Sequence, residues 1–246
     1  MSDSAPAAPR LRTPSFRLDG RTALVTGGGR GIGLAAAHAL AQAGAHVFLV
    51  ARSSDEIEAA CATIEAEGGR ASSQQLDITD SKAVTEFVAR SGPFDILVNN
   101  AGTNRPSLMA DMQDSDYDLV MNLNVRATMF VTRELARTMV ARGQGGSIIT
   151  VSSQMGHVGG PKRTLYCASK HAVEGMTKAL AWELGGHNIR VNTLCPTYIE
   201  TPLTAPMLSD PQFRAFAQSG TAFGRVGRLD EVMGAIVFLA SDASSL

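Results

Sequence analysis

The stretch Val25-Thr-Gly-Gly-Gly-Arg-Gly-Ile-Gly33 decides how this chain is read. It closes a short apolar run, Thr22 to Thr26, and opens a helix-length stretch, Ile32 to Ala43, with Gly27, Gly31 and Gly33 spaced as G-x-x-x-G-x-G. A turn without Cβ atoms lets backbone N–H groups approach a pyrophosphate, and the start of the following helix adds partial positive charge. The spacing differs from the G-x-G-x-x-G form but asks for the same physics. A glycine-rich turn alone is a weak signal; a strand before it and an amphipathic helix after it are the context the mechanism requires.

Outward from this turn, short apolar runs alternate with helix-length stretches, the sequence form of repeated βα units. Strands are expected near Thr22 to Thr26, His46 to Ala51, Ala71 to Leu76, Ile96 to Asn99, Ser147 to Ser152 and Ile189 to Cys195. Helices are expected over Ile32 to Ala43, Asp55 to Glu67, Ser81 to Arg90, Asp116 to Arg142, Tyr166 to Leu184 and Asp230 to Ala240. The fold class predicted is α/β: one Rossmann-like, doubly wound parallel sheet with helices on both faces, joined by right-handed crossovers. The Ala-, Pro- and Ser-rich start, residues 1–15, has little to bury and reads as a flexible tail, leaving 16–246 as a single domain.

Composition narrows the partners. Among 246 residues, 22 Lys plus Arg face 23 Asp plus Glu, a net charge of −1 that argues against a nucleic-acid binder or a polybasic membrane anchor. No apolar run approaches the roughly 20 residues of a membrane span, and Met1 to Ser15 lacks a secretory h-region. Cys61, Cys167 and Cys195 are too few and too scattered for a disulfide framework, which fits a reducing, cytoplasmic setting. His38, His46, His157, His171 and His187 show no paired spacing that suggests zinc, so no metal is expected.

The second strand ends His46-Val-Phe-Leu-Val-Ala-Arg52, where a dinucleotide fold presents the adenosine ribose. An acid there would accept from the free 2′-hydroxyl of NAD; Ala51 followed by Arg52 instead suits the 2′-phosphate of NADP, with Arg30 able to add a second contact. NADP(H) is therefore favoured, with NAD(H) open if both arginines are only solvated surface residues. Asp77 and Ile78, after the third strand, would sit beside the adenine, although Asp77 could equally cap a helix.

Thr26-Gly-x-x-x-Gly-x-Gly33, Asn99-Asn-Ala-Gly102, Ser153 and Tyr166-Cys-Ala-Ser-Lys170 occur in that order, with Ser153 thirteen positions before Tyr166. Together they resemble the short-chain dehydrogenase/reductase family from about Leu18 onward. The resemblance implies hydride transfer between a nicotinamide cofactor and a secondary alcohol or ketone. Tyr166 would be the acid/base, Lys170 would lower its pKa and hold the nicotinamide ribose, and Ser153 would donate to the substrate oxygen. Asn124, with Asn122 as competitor, would lend a backbone carbonyl to a proton relay through water and the lysine. Gly27, Arg30, Gly31, Ile32, Gly33, Arg52, Asp77, Ile78, Asn100, Ala101, Gly102, Tyr166 and Lys170 would line the cofactor, joined by Pro196, Ile199 and Thr201 at the carboxamide. Thr197 stands where the family commonly has glycine, which puts the local turn in question. Cys167 reads as a small packed thiol, because a helical neighbour of Tyr166 points away from its face.

The stretch 202–228, broken by Pro206, Pro211, Gly220 and Gly224, reads as a mobile flap over the substrate. Asn99-Asn-Ala-Gly-Thr-Asn-Arg105 and Cys195-Pro-Thr197 resemble the family's gluconate-type sugar-acid and polyol dehydrogenases, with Arg105, Lys162 and Arg163 as candidates for an anionic substrate. The 3-oxoacyl-carrier-protein reductases share the same motifs, and a non-catalytic dinucleotide-binding relative is the reading from another class. The family also implies a homo-oligomer, dimer or tetramer, and a final strand ending in a Gly-Gly pair; Ser241 to Leu246 stops short of it.

Overall fold

A computed structural model describes residues 12–245; most of the expected tail, 1–11, lies outside the described residues. Six strands, β1 (Thr22–Thr26), β2 (His46–Ala51), β3 (Arg70–Gln75), β4 (Ile96–Asn99), β5 (Gly146–Val151) and β6 (Ile189–Leu194), form one sheet in the order β3-β2-β1-β4-β5-β6. Every neighbouring pair is parallel. Helices α1 (Gly31–Gln42), α2 (Ser54–Ala66) and α3 (Ser81–Ser91) connect the first four strands, and α6 (Thr164–Gly185) connects β5 to β6. The sheet is doubly wound, as the βα alternation predicts.

Side-chain alternation along the central strands builds two cores. Ala23, Val25, Val47, Leu49, Ile96, Val98 and Ile149 pack on one face with α1, α2 and α9 (Asp230–Ala240). Leu24, Val50, Leu97 and Ile148 point the other way, into a second cluster with Phe87, Phe94, Val131, Leu135 and Met139. A parallel sheet covered on both faces explains why β1 and β4 read as unbroken apolar runs. At one edge, β3 carries the polar sequence Arg-Ala-Ser-Ser-Gln-Gln and is half exposed.

Two expectations are corrected. The single helix over Asp116 to Arg142 is α4 (Asp114–Met121), a π-helical turn Asn122–Ala127, and α5 (Thr128–Arg142). A π turn inserts an extra residue into the helical ladder; here it carries Asn124, 2% exposed, into the interior. The 202–228 stretch is not simply broken by its prolines. Pro206 and Pro211 stand in the first turns of α7 (Ala205–Leu208) and α8 (Pro211–Ser219), where a missing N–H costs nothing. Asp210 caps α8 by accepting from Gln212 N at 2.9 Å.

Candidate active site

The strand order reverses between β1 and β4, and the crevice opens at their carboxyl ends. Thr26 ties the two strands together there: its Oγ1 accepts from Asn100 N at 3.0 Å and from Ala101 N at 3.2 Å. The Asn100 side chain donates to the carbonyls of Thr26 and Gly27 at 3.1 and 3.0 Å, and Asn99 donates to Thr132 Oγ1 at 2.8 Å. Both asparagines are thus spent on architecture. Above them lies a cleft of about 490 Å³ lined by Gly27, Arg30, Gly31, Ile32, Arg52, Asp77, Ile78, Asn100, Ala101, Gly102, Ser153, Tyr166, Lys170, Pro196, Ile199 and Thr201.

The glycine turn is shaped for an anionic ligand. Gly27 and Gly31 have φ of +65° and +56°. Gly33 is needed for a different reason: a Cβ there would run into the Gly27 carbonyl oxygen and Asn100 Nδ2. Helix α1 starts with no side-chain cap, leaving the N–H groups of its first turn available to a phosphate. These features fit the diphosphate of a nicotinamide dinucleotide, and Gly33, outside the cleft lining, sets the turn from behind.

At the ribose corner the arginines differ. Arg52 is exposed, and its charge reaches Asp77. Burial pushes the Asp77 carboxyl up, but hydrogen bonds from the Thr79 amide and hydroxyl, with Arg52, more than reverse this. Arg30 instead donates to Glu56 Oε1 at 3.3 Å. Glu56 sits in α2 and also lines the cleft. Sequence reading passed over it because an acid in the first turn of a helix is ordinary.

On the opposite wall, β5 leads into Ser153, and α6 carries Tyr166 and Lys170 on one face a turn apart. Ser153 Oγ accepts from Met155 N at 3.1 Å, which fixes the turn after the strand. Lys170 is 7% exposed; its Nζ donates to Val151 O at 2.8 Å and lies 5.6 Å from the Tyr166 ring centroid. Burial lowers the Lys170 pKa to about 8, opposed by the negative surroundings of Cys195 and Glu174. Burial pushes the Tyr166 phenol up, with Ser153 and the Arg163 charge acting the other way.

Asn124 holds the floor of the cleft. Its Nδ2 donates to Thr103 O at 2.9 Å and Ser169 Oγ at 3.1 Å, while its Oδ1 accepts from Thr103 N at 2.8 Å. Asn122 lines the cleft and accepts weakly from Arg126 at 3.4 Å. Beyond β6, Pro196 O accepts from Gln154 N at 3.0 Å, and Thr201 is locked to Thr204 by reciprocal hydrogen bonds of 3.0 to 3.2 Å. Thr197 needs no glycine: among the described non-glycine residues only Lys162 and Asn188 have positive φ.

The candidate anion-recognising residues separate. Arg105 lies 3.5 Å from Asp116 and Lys162 is exposed away from the cleft lining, whereas Arg163 acts on Tyr166 and reaches Met207 in α7. Cys167 packs with its Sγ 3.9 Å from Met155 Sδ.

A family model described as short chain dehydrogenase matches residues 21–212. The chain belongs to the short chain dehydrogenase family. It is thus an oxidoreductase of the CH–OH type with a Rossmann-like sheet. This short chain dehydrogenase is 40% identical over 234 residues to gluconate 5-dehydrogenase of Gluconobacter oxydans (strain 621H), covering 94% of this chain and 91% of the relative. It is likewise 40% identical over 234 residues to a 3-oxoacyl-[acyl-carrier-protein] reductase of Thermotoga maritima, covering 94% of each. A crystal structure of a gluconate 5-dehydrogenase from Burkholderia cenocepacia J2315, in complex with NADP and tartrate, superimposes with a TM-score of 0.88 at 38% identity, covering 94% of this chain and 91% of that one. No described helix of this short chain dehydrogenase is long and apolar enough to cross a membrane.

Proposed function

We propose that this short chain dehydrogenase interconverts a secondary alcohol and a ketone on a sugar acid or polyol, with NADP(H) favoured over NAD(H). The observation that carries the reading is the placement of Ser153, Tyr166 and Lys170 on one wall of a cleft whose other end is the glycine turn. The bound dinucleotide supplies or accepts the hydride.

The chain's own residues handle the proton. Tyr166 would give its phenolic proton to the ketone oxygen in reduction and take the alcohol proton in oxidation. An ordinary phenol has a pKa of about 10, and lowering it by three units takes roughly 4 kcal/mol of preferential phenolate stabilisation. Burial pushes the Tyr166 phenol the other way; Ser153 and the Arg163 charge oppose it, and the Lys170 ammonium, 5.6 Å from the ring centroid, would add to them when the dinucleotide is bound. Ser153 Oγ would donate to the substrate oxygen as negative charge develops there. Asn124 would position rather than react, because its side chain is fully occupied with Thr103 and Ser169; a relay through this residue would use its backbone carbonyl.

Support for the substrate class comes from the gluconate 5-dehydrogenase relative and from the tartrate-bound neighbour, whose ligand is a hydroxy acid. Of Arg105, Lys162 and Arg163, none of which lines the cleft, Arg163 is the one whose charge reaches Tyr166, and it would take a substrate carboxylate. Support for NADP(H) comes from Arg52 and from that neighbour. A second reading, reduction of a 3-oxoacyl group on a carrier protein, is favoured by the equal identity to the Thermotoga reductase. The 202–228 segment would act as the substrate flap of one domain. Met129 and Trp182, exposed on α5 and α6, suit a homo-oligomer.

A panel of sugar acids, polyols and acyl ketones, assayed with both dinucleotides, tests the reading. Turnover of a sugar acid or polyol is expected. Turnover of acyl ketones alone would favour the reductase, and dinucleotide binding with no turnover would favour a non-catalytic relative.

A further inference from the structure

Behind the wall that carries Ser153 and Lys170, three side chains far apart in sequence meet. His157 follows the turn after β5, Glu174 lies one turn of α6 beyond Lys170, and Cys195 leaves the end of β6. Cys195 Sγ is 3.4 Å from His157 Nε2 and 3.2 Å from Glu174 Oε1, and His157 Nε2 is 3.6 Å from Glu174 Oε2. All the potential ligand atoms lie within 4.8 Å of one another.

These separations have a chemical meaning. A tetrahedral zinc ion with a thiolate at about 2.3 Å and nitrogen or oxygen ligands at about 2.0–2.1 Å spaces its ligand atoms roughly 3.3–3.6 Å apart. The sulfur–nitrogen separation of 3.4 Å has that size, and sulfur and nitrogen lie 3.2 and 3.6 Å from the two different oxygens of Glu174, so a turn of the carboxylate would present one oxygen to both. Ser152, 4% exposed, turns its hydroxyl toward Glu174 and Cys195 and closes the buried side of the cluster. Thr193 Oγ1 donates to Glu174 Oε2 at 3.1 Å, the kind of outer contact that orients a ligating carboxylate. His157 is half exposed and gives an ion a path from solvent.

We propose that His157, Glu174 and Cys195 form a binding site for a borderline-soft divalent cation of the zinc type, with a fourth position open to water. Sulfur and imidazole donors select against magnesium and calcium. On binding, the Cys195 thiol loses its proton to solvent as the metal–sulfur bond forms. Thiolate and carboxylate then neutralise the dication, and the site passes from the single negative charge of Glu174 to neutral beside buried Lys170. The ion would pin together the Ser153–His157 turn, α6 and the segment entering Pro196.

The test uses tag-free, full-length protein stripped with a chelator and titrated with Zn²⁺ by calorimetry and with Co²⁺ by absorption. The expected result is about one equivalent per chain and a thiolate-to-cobalt charge-transfer band in the near ultraviolet. Cys195→Ala should abolish the band, His157→Ala should raise the Kd for Zn²⁺ at least about 10-fold, and Cys167→Ala should change neither. Circular dichroism checks folding of each variant; if Cys195→Ala fails to fold, Cys195→Ser and the half-exposed His157→Ala decide. Absence of saturable Zn²⁺ binding, a band that survives Cys195→Ala, or a Zn²⁺ affinity indifferent to His157→Ala would each overturn the site and leave the cluster a hydrogen-bonded packing feature.

Discussion

Lys170 Nζ donates to the Val151 carbonyl at 2.8 Å, tethering a buried ammonium to the end of the strand that delivers Ser153. Held there, the ammonium is short of water, and its pKa falls to about 8 through burial. The fold therefore bears a cost to keep this charge in place.

That cost has a sign in pH. Below about 8 both folded and unfolded chains carry the proton; between about 8 and the ordinary lysine value of 10.5 the folded chain sheds it while the unfolded chain keeps it. Stability contributed by this group thus rises with pH across that window. Relative to Lys170→Met, the wild type should gain about 2 kcal/mol between pH 8 and 10. Urea unfolding of both proteins at several pH values measures the difference; parallel curves would mean that the ammonium is not desolvated.

Asn124 gives a prediction about packing. Asn124→Ala strands the Thr103 N–H and C=O, which now exchange hydrogen bonds with the buried amide. Leaving a buried backbone group unpaired costs about 1–3 kcal/mol; the Thr103 groups are half-buried, so a loss of about 1–3 kcal/mol is expected in chemical denaturation. A loss below about 0.5 kcal/mol would show that the loop finds other partners.

Most of the fold was legible because it rests on periodicity. Burial of both faces of β1 and β4 follows from apolar runs that the sequence displays, and the glycine turn announces where the first strand ends. The site was legible where its residues lie close in sequence, as Tyr166 and Lys170 do. The π turn at Asn122–Ala127 was not, because an inserted residue leaves the apolar pattern of a long helix almost unchanged. The meeting of His157, Glu174 and Cys195 was hidden for a different reason: three separate elements converge only after the sheet forms. Pro206 and Pro211 were misread as breaks because proline stops a helix from within yet starts one from its first turn.

Cofactor choice rests on two arginines in different states. Arg52→Ala should lower the preference for NADP(H) by roughly 10-fold, the worth of one charge-assisted contact, and raised salt should weaken it in the wild type. Glu56→Gln should act oppositely, since Arg30 now pairs with Glu56 and would be released toward the phosphate. Ratios of kcat/KM for the two dinucleotides report both effects. An NAD(H) preference in the wild type would remove the role given to Arg52.

Gly33→Ala should break the phosphate turn, because its methyl group would collide with the Gly27 backbone carbonyl and with the Asn100 amide that two hydrogen bonds hold in place. Overpacking of this kind costs about 1–3 kcal/mol, and the displaced turn should weaken dinucleotide binding. Calorimetric titration with NADP⁺ checks it; unchanged affinity would show that the turn does not hold the diphosphate.

The central claim is that the Tyr166 hydroxyl moves the proton at the substrate oxygen. Tyr166→Phe keeps the ring and its packing but deletes that proton, so single-turnover rates on the best substrate of the panel should fall by at least about 10²-fold. NADP(H) affinity and the unfolding midpoint should stay close to those of the wild type. Near-normal turnover in that variant would contradict the account and move the chemistry away from Tyr166.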